Sequence, residues 1–189
     1  MRRFLLGALF LILAGGVSHA ALPTPRPFSG CGVLFLTQTG SWQPELLPLY
    51  REPGVQRVAE LAPGMLPRLA GETGAPLVVV FERRRGWSRV ALDDAGRRGW
   101  LKDERSWDYR DWREYLPGRR VRLLPGLKKE WYRLKSAPGG GNAAAELPRG
   151  REVRLVEVAG DWARVEAPGG WLRWRDGDGR LTVALVPAP

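Results

Sequence analysis

One hairpin is written twice in this chain. Trp87-x-Arg89-Val90 leads into Gly99-Trp100-Leu101, and Trp162-x-Arg164-Val165 leads into Gly170-Trp171-Leu172, the loop between the halves being four residues shorter in the second copy. Each copy also has a similar opening, Leu49-Tyr50-Arg51-Glu52-Pro53-Gly54 against Leu134-Lys135-Ser136-Ala137-Pro138-Gly139. A recurrence of this kind calls for two like structural units in series. The content of each unit is set by the length of its apolar runs. Val33–Thr37, Leu47–Tyr50, Val55–Leu61 and Leu77–Phe81 are short or alternating and are separated by Gly, Pro and charged turns, so the chain is read as all-β. Leu77-Val78-Val79-Val80-Phe81 is β-branched and too short for an ordinary helix. It predicts a central strand, with Arg83-Arg84-Arg85-Gly86 as the turn after it.

A strand opening, a variable loop, a strand and then a tryptophan-first hairpin closing on Gly-Trp-hydrophobic resembles the bacterial Src-homology-3-like domain. The resemblance is carried by Trp87, Val90, Gly99, Trp100 and Leu101 in one unit and by Trp162, Val165, Gly170, Trp171 and Leu172 in the other. It covers roughly residues 45–105 and 130–185. What it implies is a pair of small, partly open barrels that work in the bacterial envelope, commonly by binding peptidoglycan or its peptides. The expected architecture is therefore two tandem small SH3-like β-barrels, at 45–105 and 130–189. A structured, aromatic-rich linker at 106–129 joins them, and a leader with a first strand occupies 21–44. The first unit departs from the common pattern by a long insert before Leu77 that includes Pro63, Pro67 and Gly71. Within the linker, Ser106 to Leu116 predicts a short helix capped by Ser106 or Asp108 and stopped by Pro117-Gly118, with strand-like pieces at 118–126 and 128–132 on either side of Leu127.

Met1-Arg2-Arg3, the apolar run Phe4 to Ala14 and the small-residue site Ser18-His19-Ala20 make residues 1–20 a secretory signal peptide. The apolar run rises only about 16 Å as a helix, too little for a bilayer core, so no integral span is expected in the mature chain. Export to the periplasm or cell exterior follows. Phe28-Ser29-Gly30-Cys31 loosely resembles a lipoprotein box but lies beyond Pro23, Pro25 and Pro27, far from the apolar run.

Cleavage removes Arg2, Arg3 and the single histidine, His19, which lowers the formal charge from +10 to +8. Cys31 is the one cysteine, so no internal disulfide can form. Without an imidazole there is no ordinary base for a cysteine nucleophile and no usual nitrogen and sulfur shell for zinc. Asp176-Gly177-Asp178-Gly179 opens like a calcium loop, but Arg180 and Pro187 stand where ligands belong, so it is read as a turn. Gly139-x-Gly141-x-x-Ala144 echoes a dinucleotide fingerprint without the strand-helix unit around it and is read as a loop. Asp93, Asp94, Asp103 and Glu104 are the carboxylates that glycan hydrolysis would use. No catalytic residue, metal or cofactor is assigned, and the chain is read as a non-enzyme. Export also argues against nucleic acid as the partner of the basic surface.

The feature that points to a ligand is aromatic. Trp107, Tyr109, Trp112, Tyr115, Trp131 and Tyr132 are interleaved with arginines that include Arg110 and Arg113. Flat rings stack on sugars or peptide side chains, and guanidinium forks clamp carboxylates, a combination suited to an acidic glycopeptide. The competing assignment fills the space between the barrels with these same rings. Trp87, Trp100, Trp162 and Trp171 are assigned to barrel packing. The expected partner is peptidoglycan or a related wall component, with an envelope protein as the alternative.

Overall fold

The computed structural model describes residues 26–36, 45–69 and 76–187. Residues 1–20, expected to be a signal peptide, and most of the leader lie outside the described residues, as do parts of the first-unit insert. Among the described residues fourteen strands form two antiparallel sheets of seven. The first contains β1 (Gly32–Phe35), β2 (Leu47–Glu52), β3 (Val55–Leu61), β4 (Leu77–Arg84), β5 (Trp87–Ala91), β6 (Arg98–Lys102) and β7 (Asp108–Asp111), in the order β3-β2-β6-β5-β4-β1-β7. The second contains β8 (Arg120–Leu123), β9 (Arg133–Ala137), β10 (Gly140–Glu146), β11 (Glu152–Ala159), β12 (Trp162–Val165), β13 (Trp171–Arg173) and β14 (Val183–Leu185), in the order β10-β9-β13-β12-β11-β8-β14. Adding seven to each label of the first order reproduces the second. The repeat is thus a repeat of whole topology, including strands whose sequences show no likeness.

This reassigns the middle of the chain. Residues 106–129, read as a linker, hold the last strand of the first sheet and the first strand of the second, and β1 belongs to the first sheet through ladders to β4 and β7. The helix is real but shorter and later than expected. Asp108 is already in β7, so α1 (Trp112–Tyr115) is capped by Asp111, whose carboxylate accepts from the N–H groups of Arg113 and Glu114. The run 128–132, expected as strand-like, holds instead a 3-10 turn at Lys129–Tyr132.

The hairpin motif has a packing reason. A Cβ on Gly99 would approach Leu92 at 2.9 Å and the Cβ of Leu49 at 3.4 Å, and one on Gly170 would meet the Cβ of Leu134 at 3.0 Å. Leu49 and Leu134 open the two repeats and are fully buried, so the glycine lets β6 and β13 close onto β2 and β9. Each long strand serves two partners. β11 pairs with β8 through 152–154 and with β12 through 155–159, with an irregularity in register between Leu155 and Glu157. In the first sheet β4 divides itself in the same way between β1 and β5. The bulge lets one sheet fold over its own core. Val121, Leu134, Leu155, Val165, Leu172 and Val183, one from nearly every strand of the second sheet, lie in a single buried cluster. Among the described residues no ladder joins β3 to β7 or β10 to β14, so each sheet remains open.

The two units share a core. Val33, Leu69 and Leu77 of the first belong to the same cluster as Trp112, Tyr115, Leu116 and the core of the second. Trp112 packs at 5.2 Å from Trp174 and 5.8 Å from Tyr115, whose ring in turn meets Phe35. The Trp112 indole N–H donates to the Ser29 carbonyl at 2.8 Å. Ser29 belongs to a strap that runs over the second unit before entering β1. Leu181 donates to the Pro27 carbonyl, Ser29 donates to that of Gly179, and Arg26 pairs with Asp176 at 2.5 Å. Asp176 also accepts from the N–H groups of Asp178 and Arg180, which makes 176–180 the turn expected there. Burial by itself would raise this carboxyl, but the Arg180 N–H and the Arg26 guanidinium outweigh it and hold it below the usual carboxylate range. Cleavage ahead of Cys31 would remove every strap residue named here.

A candidate ligand cleft in the first unit

Strand alternation decides which tryptophans face outward. Ser88 and Val90 point into the core of the first unit, so Trp87 and Arg89 stand on the opposite face; Ala163 and Val165 do the same for Trp162 and Arg164. Trp87 and Trp162 are therefore half-buried surface rings rather than barrel filling. Trp171 is half-buried too. Trp100 is fully buried but belongs to neither core cluster, and lies beneath the guanidinium groups of Arg84 and Arg89.

Around Trp87 a cleft of about 220 Å³ opens, lined by Leu47, Pro48, Tyr50, Trp87, Leu101, Lys102, Glu104 and Trp107. Three segments supply its rings. Tyr50 comes from β2 and meets Trp87 of β5 edge to face at 5.4 Å, and Trp107 comes from the loop after β6 and packs on the first unit's core. The register sets Lys102 directly across from Trp87. The result is an apolar floor with aromatic walls and one exposed residue of each charge, Lys102 and Glu104. Such a site stacks on a flat or apolar group and orients it with a few polar contacts.

Of the eight residues expected to form the site, only Trp107 lines the cleft. Trp112, Tyr115 and Tyr132 are 4%, 1% and 3% exposed, so a ligand cannot stack on them. Trp112 and Tyr115 pack between the units, and the Tyr132 hydroxyl donates to the Leu124 carbonyl. Tyr109 is half-buried under Arg83, with its hydroxyl donating to the Cys31 carbonyl at 3.3 Å and close to the Cys31 sulfur; burial first, then the thiol contact, raises its pKa. Arg110 is paired with Asp108, and the Arg113 side chain is exposed. Trp131 is half-buried with Arg173 over its ring. The expectation missed Tyr50, Trp87, Lys102 and Glu104. The alternation of Trp87-Ser88-Arg89-Val90 was the signal for Trp87, since a buried Val90 puts Trp87 outside.

Of the carboxylates considered for hydrolysis, Glu104 lines the cleft, and Asp93 and Asp103 are paired with arginines. Asp93 is bound to Arg97, whose side-chain hydrogen bond holds its carboxyl below the usual range, the opposite of what a general acid needs. Asp103 pairs with Arg83. Among the described residues no group of three or more His, Cys, Asp or Glu could hold a metal ion, and no helix is long and apolar enough to cross a membrane.

No family model matches the chain, and no curated protein matches it. Among solved structures it is similar to one titled "Endolysin LysPBC5 CBD", with 14% identity, a TM-score of 0.26, and coverage of 86% of this chain and 98% of that one. A TM-score of that size does not establish a shared fold, and function belongs to a site rather than to a fold.

Proposed function

We propose that this chain is an exported, non-enzymatic binding protein of the bacterial envelope, and that its ligand is peptidoglycan or a related cell-wall component held in the first-unit cleft. The observation that carries this reading is the cleft of Tyr50, Trp87 and Trp107 with Lys102 and Glu104 beside it. A wall glycopeptide offers sugar faces and short side chains for the rings, a carboxylate for the lysine and an amine for the glutamate. The signal peptide would deliver the chain to that polymer, and the Src-homology-3-like resemblance of both hairpins points the same way.

The test is co-sedimentation of residues 21–189 with insoluble peptidoglycan at low and high salt. Retention should survive high salt and fall about 10-fold or more in Trp107→Ala, the size expected from losing one buried aromatic contact. Trp131→Ala should stay within about twofold, because its partner is the chain's own Arg173. Release at high salt, or full retention of Trp107→Ala, overturns the reading. A second reading, an assembly subunit for another envelope protein, is favoured by the edge strand β3. There Val55 and Val58 are 63% and 42% exposed, and Leu46 and Met65 close by are also exposed. Recovery of one stoichiometric crosslinked protein, with no wall retention, would establish that reading instead.

A further inference from the structure

We propose that the junction of the two units carries a second binding site, selective for an oxyanion, a carboxylate or a phosphate, and built by Arg98 of the first unit and Arg180 of the second where both lie on Phe28. It is separate from the aromatic cleft and shares no residue with it.

The geometry begins with the strap. Phe28 bridges to Arg180, which brings the Arg180 guanidinium carbon to 4.0 Å from the centre of the Phe28 ring. Arg98, the first residue of β6, lies 3.8 Å over Phe81 and 5.8 Å from that same Phe28 ring. A guanidinium lying against a ring keeps its N–H edges free in its own plane, and those edges form the fork that fits an oxyanion. Both forks start from fixed backbone, one in a sheet and one in the turn that Asp176 holds. Phe28 is 36% exposed, so the pair sits at the surface.

Charge pairing separates these two arginines from five others that rest on rings; Arg149 and Arg173 also reach no carboxylate among the described residues, but both lie on rings of the second unit alone. Arg83, Arg84, Arg89, Arg110 and Arg175 lie over rings and also reach a carboxylate. Among the described residues Arg98 and Arg180 reach none; the one side-chain hydrogen bond of Arg180 goes to the Arg26 carbonyl at 2.8 Å. Burial, and then the nearby charge of Arg89, lower the Arg98 pKa, as expected for a cation whose counter-charge is missing. An oxyanion between the forks would supply that charge from outside the chain. Because one fork comes from each unit, it would also tie the strap across the junction.

The test is fluorescence anisotropy of the 21–189 protein against labelled poly-L-glutamate and labelled polyphosphate at about 0.15 M salt, where charges beyond about 8 Å are screened. The wild type is expected to bind at least one probe, and which probe it binds distinguishes carboxylate from phosphate as the natural source. Arg98→Gln with Arg180→Gln should weaken binding about 10-fold or more. Arg57→Gln with Arg97→Gln removes the same charge from exposed ion pairs and should leave binding within about twofold. Arg98→Lys with Arg180→Lys keeps the charge and loses the forks, so it should still weaken binding several-fold; it decides the matter if the glutamine pair does not fold. Trp107→Ala should bind the probe normally even if it has lost the wall. The proposal is overturned by a wild type that binds neither probe, by a lysine pair that binds as well as wild type, by a control pair that loses as much as the glutamine pair, or by loss of probe binding in Trp107→Ala.

Discussion

The two units have the same topology and opposite surfaces at corresponding places. Trp87 and Trp162 correspond, and the ladders set Lys102 across from the first and Arg173 across from the second. In the first unit Lys102 lines an open cleft. In the second, the Arg173 guanidinium lies 5.0 Å over Trp131 and 6.0 Å from Trp162, with its Nε buried and without a hydrogen-bond partner. The third ring is missing as well. Tyr109 pairs with Leu34 as Leu185 pairs with Val121, so Trp107 corresponds to Val183, which is buried in the core. The second unit has thus covered its aromatic surface with a cation, carries Lys135 where the first has Tyr50, and buries Val183 in the place of Trp107. The two sheets share one strand order, and a few side chains at one end of each separate an open cleft from a covered surface.

Three substitutions probe this comparison. The largest effect is expected at the seam. If the second unit supports the first through a shared core, Trp112→Ala should cost about 3–5 kcal/mol, the range for deleting a buried aromatic ring, and should do so in one cooperative denaturant transition. Two separate transitions in the wild type, or a cost below about 1 kcal/mol in the variant, would show that the units stand independently. A smaller effect is expected in the cleft. Lys102→Arg puts the second unit's side chain at the corresponding position beside Trp87, and should lower peptidoglycan retention about 3- to 10-fold through a self-occupying cation–π contact. Unchanged retention would mean that Arg173 does not account for the difference between the units. The smallest effect concerns Ser88, which is fully buried with a hydroxyl that finds no partner, where the second unit has Ala163. Ser88→Ala should therefore stabilise the chain by about 0.5–1 kcal/mol, seen as a higher denaturant midpoint at unchanged slope. A destabilised variant would show that the hydroxyl is satisfied in solution.

The arginines interleaved with the aromatic stretch were read from sequence as ligand clamps, and the structure shows another use for arginines here and elsewhere in the chain. Arg83 covers Tyr109, Arg119 covers Tyr115, Arg84 and Arg89 cover Trp100, and Arg175 covers Trp174. In small open sheets the core is thin, and guanidinium planes extend it by shielding ring faces from water while keeping their charge solvated. Part of the basic excess is therefore structural.

Sequence by itself determined the class and the repeat. Short alternating runs can bury an apolar face only as strands, and the glycine in each Gly-Trp-Leu is required wherever a hairpin must close against a leucine. The central place of Leu77–Phe81 and the turn at Asp176–Gly179 were equally local, each set by residues a few positions apart. The remainder was decided by tertiary structure. β1, β7, β8 and β14 are recognisable as strands of the repeat only through their partners, since strands of three or four residues carry too little pattern to reveal a register. Trp107 and Trp112 lie five residues apart in the same aromatic stretch, yet one lines a cleft and the other is sealed between two units. Nothing local distinguishes them; what does is the ladder from β7 to β1 and the helix turn at Asp111, which carry the chain from one unit's surface into the core that both units share.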